Sequence, residues 1–76
     1  MTKFEYLNQN IFKIKWEVRK GIIPNSIIRH YSIYSRFDYY RKLNNKVSIS
    51  VFYTSEDFKV TEKCVYKIKK DMESDI

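Results

Sequence analysis

The chain has 76 residues, one glycine, one proline and a formal net charge of +6 at pH 7. This length makes a single domain with a small core. So few turn-forming residues argue against an all-β sandwich and favour helices joined by short polar loops. We therefore expect an all-α protein. No apolar run approaches a membrane span and no signal-peptide core is visible, so we also expect a cytoplasmic location and no membrane partner.

The first predicted helix covers residues 3–20, with Thr2 as its N-cap and Gly21 at its stop. One stripe of an amphipathic helix is formed by apolar residues at alternating three- and four-residue spacing, namely Phe4, Leu7, Ile11, Ile14 and Val18. Phe12 and Trp16 form a second apolar pair beside that stripe. This pair predicts an interface with a second copy of the chain, and the alternative is that it packs on the second helix.

The second predicted helix covers residues 25–43, begins at Asn25 or Ser26 and ends at Asn44 and Asn45. It is aromatic nearly all round, with cations interleaved among its rings: Tyr31, Tyr34, Phe37, Tyr39 and Tyr40, with Arg29, His30, Arg36, Arg41 and Lys42. The favoured interpretation is a core-facing stripe and a solvated basic face. The alternative is a stacking platform for single-stranded nucleic acid, which needs several exposed rings in a row, whereas helical spacing scatters them.

The segment 46–53 has features of both a strand and a helix. Val47, Ile49 and Val51 alternate with serines, which is the period of a strand. Val47, Val51 and Ser55 also fit one face of a helix. We predict a helix over residues 47–58, because a single strand would have no pairing partner elsewhere in the chain.

The last predicted helix covers residues 61–72, so that the domain, residues 1–76, has about four helices. Thr61 is its expected N-cap. Two faces follow from the spacing: an apolar one with Val65, Ile68 and Met72, and a basic one with Lys63, Lys67 and Lys70 at i, i+4 and i+7. Acidic residues oppose the dipole at a helix C-terminus, so the tail 73–76 is expected to fray.

Residues 51–70 resemble the helix-turn-helix of bacterial and phage DNA-binding regulators. Ser55 stands where these units place a small residue at the helix crossing, and Phe58 and Val60 flank the corner as apolar plugs. Lys59 takes the turn position, where glycine is most common, and a left-handed lysine costs on the order of 1 kcal/mol. The Ser55 hydroxyl also needs a partner, for which a carbonyl one turn back is suited.

The resemblance implies sequence-specific binding of duplex DNA and transcriptional regulation. It places the N-terminal part of the last helix in the major groove, with base edges contacted by Glu62, Lys63, Tyr66 and Lys67. Phosphates would be held by Lys59, Thr61 and Lys70. One motif makes few contacts, so regulators of this size double them by two-fold symmetry, which predicts a homodimer. A composition rich in Lys, Ile, Asn and Tyr is typical of a phage or a low-GC bacterium.

Catalysis, cofactors and small-molecule substrates are not expected. The single histidine, His30, is remote in sequence from the single cysteine, Cys64, so no zinc set exists. One glycine excludes a glycine-rich phosphate loop, and Glu56 with Asp57 is expected to be a solvated acidic pair. Cys64 excludes an internal disulfide, indicates a reducing compartment and is expected to pack as a small hydrophobe.

A second hypothesis belongs to a different functional class. The chain would be a small basic and aromatic protein-interaction module, such as a phage-encoded inhibitor or a virion component, that binds an acidic protein surface. Phe12 and Trp16 would then be interface anchors. Salt separates the two hypotheses, because duplex affinity falls steeply with salt and an aromatic-anchored protein complex responds mildly.

Overall fold

The architecture is all-helical, as predicted. A computed structural model describes residues 1–75, and within them lie α1 (Lys3–Gln9), α2 (Ile11–Arg19), α3 (Ser26–Lys42), α4 (Val47–Phe58) and α5 (Glu62–Met72). The described residues contain no strand, and a single β-bridge pairs Thr2 with Asp75. None of these helices is long and apolar enough to cross a membrane. The ambiguous segment 46–53 is helical from Val47 onward.

The first predicted helix, residues 3–20, is two helices rather than one, so the described chain has five helices where about four were expected. The break is at Asn10, whose backbone has φ −116° and ψ 19°. Its side-chain amide donates to the Tyr6 carbonyl at 2.9 Å. Asparagine side chains compete in this way for backbone groups of the preceding turn, and such competition leaves no mark on hydrophobic periodicity.

The core lies where α3, α4 and α5 meet, and α1 packs against α3 and α5. Its buried apolar residues are Leu7, Ile14, Ile33, Tyr34, Phe37, Val51, Val65, Ile68 and Met72. The most extensive neighbour of α2 is α1, so α2 lies at the side of the three-helix centre. In this arrangement α4 and α5 are held as a pair by α3.

Three helices end in the same left-handed corner. The corner residues have positive φ: Gly21 at 80°, Asn44 at 68° and Lys59 at 55°. At each corner the next residue's N–H donates back five residues, from Ile22 to Glu17 (2.9 Å), Asn45 to Tyr40 (3.4 Å) and Val60 to Ser55 (3.0 Å). These are Schellman corners, which satisfy the last carbonyls of a helix and turn the chain sharply.

The start of α1 is fixed by a capping box. Thr2 Oγ1 accepts from the Glu5 N–H at 3.2 Å, and Glu5 Oε1 accepts from the Thr2 N–H at 3.0 Å. The hydrogen bond from the Thr2 backbone is the main cause that holds the pKa of Glu5 below its usual value. The predicted N-cap role of Thr2 is therefore confirmed.

The two ends of the described chain meet beside α5. The Lys3 N–H donates to the Ser74 carbonyl at 2.8 Å, and Lys3 Nζ lies 2.8 Å from Asp71 Oδ2. Tyr34 Oη donates to Glu73 Oε2 at 2.9 Å. Residues 73–75 thus make specific contacts where a frayed tail was expected, and the last residue of that tail, 76, lies outside the described residues.

Candidate nucleic-acid interface

The corner between α4 and α5 is built from the residues that carry the helix-turn-helix resemblance. Ser55 is buried, and its hydroxyl donates to the Phe52 carbonyl at 2.7 Å, which is the partner one turn back that it needs. Phe58 and Val60 are half-buried and pack against the core on either side of Lys59. Lys59 itself has φ 55° and ψ 44°, a left-handed conformation that costs a lysine about 1 kcal/mol.

The orientation of α5 follows from its cap and its apolar face. Thr61 Oγ1 accepts from the Cys64 N–H at 3.1 Å, as expected of an N-cap residue. Val65, Ile68 and Met72 are all buried, so the helical phase predicted from their spacing is confirmed. The opposite face of α5 therefore points to solvent.

The residues predicted to contact DNA are all exposed: Lys59, Thr61, Glu62, Lys63, Tyr66, Lys67 and Lys70. We call this set the α5 surface. Within residues 1–75 the described ion pairs are Lys3–Asp71, Arg36–Asp57, Lys42–Asp38 and Lys69–Glu73, and none involves a lysine of the α5 surface. Four ammonium groups are thus presented without a carboxylate partner in the described part of the chain. Such a surface attracts anions.

A cleft of about 230 Å³ borders the α5 surface, lined by His30, Cys64, Lys67, Ile68 and Asp71. Cys64 is half-buried and packs against the core, in agreement with its predicted role as a small hydrophobe. Among the described residues no group of three or more His, Cys, Asp and Glu side chains is placed to hold a metal ion.

A second exposed surface lies on α2. Phe12 and Trp16 are 85% and 53% exposed, so the pair predicted to be an interface faces solvent and does not pack on α3. Four exposed cations surround it, Lys13, Lys15, Arg19 and Lys20, and Lys20 Nζ lies 5.9 Å from the Trp16 ring centroid. We call these six residues the α2 surface. It combines an apolar centre with a positive rim.

The aromatic residues of α3 divide between two clusters. On the inner side, the Phe4 ring packs on Tyr31 and Tyr34, with centroids 5.5 Å and 4.6 Å apart. On the outer side, successive centroids are 5.5, 5.3 and 5.9 Å apart along a row made by Tyr39, Tyr40, Tyr53 and Phe52. This aromatic row was not predicted, because it joins rings of α3 to rings of α4. The sequence signal for it was a second set of apolar residues on α4, which lies outside the buried face of that helix.

Asp57 connects the aromatic row to α3. Its carboxylate accepts a hydrogen bond of 2.5 Å from Tyr40 Oη, and Arg36 Nε lies 3.9 Å away. The hydrogen bond to Asp57 is the main cause that raises the pKa of Tyr40. Of the acidic pair expected to be solvated, Glu56 is exposed without an ion pair among residues 1–75, and Asp57 is partly engaged.

Comparisons of this chain with protein-family models, with curated proteins and with solved structures found no match. Three features of the chain bear on its function: the α5 surface, the left-handed corner at Lys59 and the exposed apolar side chains of α2 and α4.

Proposed function

We propose that the chain binds duplex DNA sequence-specifically through α4 and α5, acts in transcriptional regulation and does so as a homodimer. The observation that carries the proposal is the α5 surface, where Lys59, Lys63, Lys67 and Lys70 lie exposed and without ion pairs in the described residues. A duplex presents about one negative charge per 1.7 Å of its axis, and lysines that neutralise phosphates release the counterions condensed there.

The division of labour on the α5 surface follows from side-chain chemistry. Lys63 and Lys67 donate to guanine O6 or N7, and Glu62 accepts from cytosine N4. Tyr66, between them on the same face, also reaches base edges. Lys59 and Lys70, at the corner and near the far end of α5, hold phosphates, as does the Thr61 hydroxyl, whose proton remains available while its oxygen accepts from Cys64.

The test is a titration of the chain with labelled duplexes of random and AT-rich sequence at two salt concentrations. Each phosphate contact made by a lysine lowers the slope of log affinity against log salt by about 0.9, so Lys59 and Lys70 together give a slope of about −1.8 per copy. An affinity that is insensitive to salt would contradict the proposal.

Variants separate base contacts from phosphate contacts. Lys67→Ala is expected to reduce discrimination between sequences by roughly 1–3 kcal/mol. Lys70→Ala is expected to weaken all duplexes alike and to bring the salt slope closer to zero by about 0.9. The matched control is Lys13→Ala, which removes an exposed lysine of α2 and leaves the α5 surface intact. Equal losses in all three variants would mean that net charge, and not α5, binds the duplex.

The second candidate function is binding to an acidic protein surface, and the α2 surface favours it. An exposed aromatic pair inside a ring of four cations fits an acidic partner, since aromatic anchors supply affinity and the charged rim supplies selectivity. In that case Trp16→Ala abolishes partner binding, and the affinity of the parent for its partner depends only mildly on salt. Duplex binding would then be weak and without sequence preference.

A further inference from the structure

The helix α4 buries three hydroxyl side chains beside Val51 and exposes three large apolar side chains. Ser50, Thr54 and Ser55 point inward and are buried. Ile49, Phe52 and Tyr53 point outward and are 40%, 47% and 44% exposed. Contiguous exposed apolar patches mark interaction sites, so the outward face of α4 is a candidate for one.

The outward face continues onto α3. Tyr39 extends it through the aromatic row, and Leu43, at the end of α3, is also exposed. We call Tyr39, Leu43, Ile49, Phe52 and Tyr53 the α4 face. Five half-exposed side chains of this size offer on the order of 400 Å² of surface. That is about half of what each partner buries in a standard protein interface, before any polar rim is added.

The charges around this face indicate which partner covers it. Within residues 1–75, α4 is the one helix with a negative formal charge, since it contains Glu56 and Asp57 and no lysine or arginine. The neighbouring cation Arg36 is paired with Asp57. In a chain of net charge +6, this is the side on which two copies approach with the least repulsion.

We propose that the α4 face is the surface through which two copies of this chain associate, with the two α4 helices antiparallel across a two-fold axis. A register that sets Ile49 of one copy against Tyr53 of the second copy also sets Lys46 against Glu56. Lys46 is the N-cap residue of α4 and Glu56 lies in its last turn, and both are exposed. Each Glu56 would then also face the positive N-terminal end of the other α4 helix.

This proposal assigns the homodimer to α4 instead of α2. A dimer across Phe12 and Trp16 would bring together the four cations that surround the pair on each copy. No carboxylate-rich patch of α2 compensates them, because Glu17 is the single acidic residue of that helix. The assignment rests on the homodimer of the proposed function and is tested without DNA. A dimer that forms through another face would overturn the assignment and leave duplex binding by α5 untouched.

The experiment is sedimentation equilibrium of the parent and two surface variants, with circular dichroism melting as the check on folding. The parent is expected to sediment at twice 9.3 kDa at about 100 µM. Phe52→Lys is expected to be a folded monomer, because the side chain points outward. Trp16→Lys is the matched control and is expected to remain dimeric.

A charge exchange tests the antiparallel register. Lys46→Glu and Glu56→Lys should each weaken the dimer by about tenfold, because each sets like charges opposite one another at both ends. The double variant restores the original pairing and should recover most of the affinity. Recovery would not occur if the two substitutions acted only on the folding of α4.

Three outcomes would overturn the proposal. The first is a parent that stays monomeric at every concentration. The second is a dimer that survives Phe52→Lys and is lost in Trp16→Lys, which would assign association to α2. The third is a monomer whose tyrosine fluorescence is quenched by single-stranded oligonucleotides in the parent and not in Phe52→Lys, which would assign the aromatic row to nucleic-acid stacking.

Discussion

At the scale of single residues, the left-handed corners contain the clearest local strain. Asn44 and Lys59 both have positive φ, but asparagine visits this region readily and lysine does not. Lys59→Gly is therefore expected to stabilise the fold by about 1 kcal/mol, which corresponds to a rise of roughly 4–8 °C in melting temperature for a domain of this size.

The matched control for that prediction is Asn44→Gly, which makes the same change at a corner of the same type. Its gain is expected to be smaller, because less strain is removed while glycine adds the same entropy to the unfolded chain. Equal shifts in the two thermal melts would show that residue strain at Lys59 is not the cause.

Ser50 is a second residue where local chemistry opposes stability. Its hydroxyl is fully buried and has no hydrogen-bond partner among residues 1–75, whereas the neighbouring Thr54 hydroxyl donates to the Ser50 carbonyl at 2.7 Å. A buried polar atom without a partner costs about 1–3 kcal/mol. Ser50→Ala is therefore expected to raise the free energy of unfolding by about 1 kcal/mol, measured by urea denaturation.

The control is Thr54→Val, which removes a hydroxyl that does have a partner. This variant is expected to be destabilised by about 0.5–1.5 kcal/mol, the usual contribution of one hydrogen bond. A loss of stability in both variants would indicate that the Ser50 hydroxyl has a partner after all.

Tyr34 makes the stability of the fold depend on pH in the alkaline range. Burial is the main cause that raises its pKa far above the ordinary 10.0, and the hydrogen bond to Glu73 and the charge of Asp38 add to the effect. A group with a raised folded-state pKa stabilises the fold fully below its unfolded pKa. The contribution is lost as the pH rises above 10.0 towards the folded-state pKa.

We therefore expect Tyr34→Phe to lose less stability than the parent between about pH 8 and about pH 11, as measured by chemical denaturation. Tyr66→Phe, which changes an exposed ring on α5, is the control and should follow the parent. A parallel loss in the parent and in Tyr34→Phe would mean that the pKa of Tyr34 is not raised in the native state.

At the scale of helices, α5 depends on the separation of its two faces. Val65→Asp places a carboxylate in the buried cluster with Ile68 and Met72, at a cost of several kcal/mol, which exceeds much of the stability of a small domain. Tyr66→Asp makes the same chemical change one residue along, on the exposed face. Circular dichroism should show an unfolded Val65→Asp and a folded Tyr66→Asp, and the reverse result would mean that the helical phase is wrong.

The helices also show which features the sequence could predict. The apolar spacing of Val65, Ile68 and Met72 sets the buried face of α5, because period and burial are directly linked in a helix. The break at Asn10 is accompanied by a side-chain hydrogen bond to the Tyr6 carbonyl, and hydrophobic periodicity does not record such bonds. In α4 the hydroxyl residues Ser50, Thr54 and Ser55 are buried beside Val51, whereas Ile49, Phe52 and Tyr53 are exposed, so burial does not follow hydropathy there. Hydropathy alone therefore could not predict the aromatic row.

At the scale of the whole molecule, self-association couples stability to concentration. If two copies associate through the α4 face, dilution removes a stabilising partner and the melting temperature falls. A hundredfold excess over the dissociation constant contributes about 2.7 kcal/mol, so the melting temperature of the parent is expected to rise clearly with concentration. Phe52→Lys should melt at one temperature throughout. A parent whose melting temperature does not change with concentration would contradict self-association.

The position of Trp16 determines how these transitions can be observed. It is the single tryptophan of the chain and is already half exposed on α2, beside Lys20, in the native state. Its emission is therefore red-shifted before unfolding begins and will change little when the core opens. For the same reason it is a selective reporter. A blue shift on mixing with another molecule would show that this molecule covers the α2 surface. Binding at α5 or α4 would leave the emission wavelength unchanged.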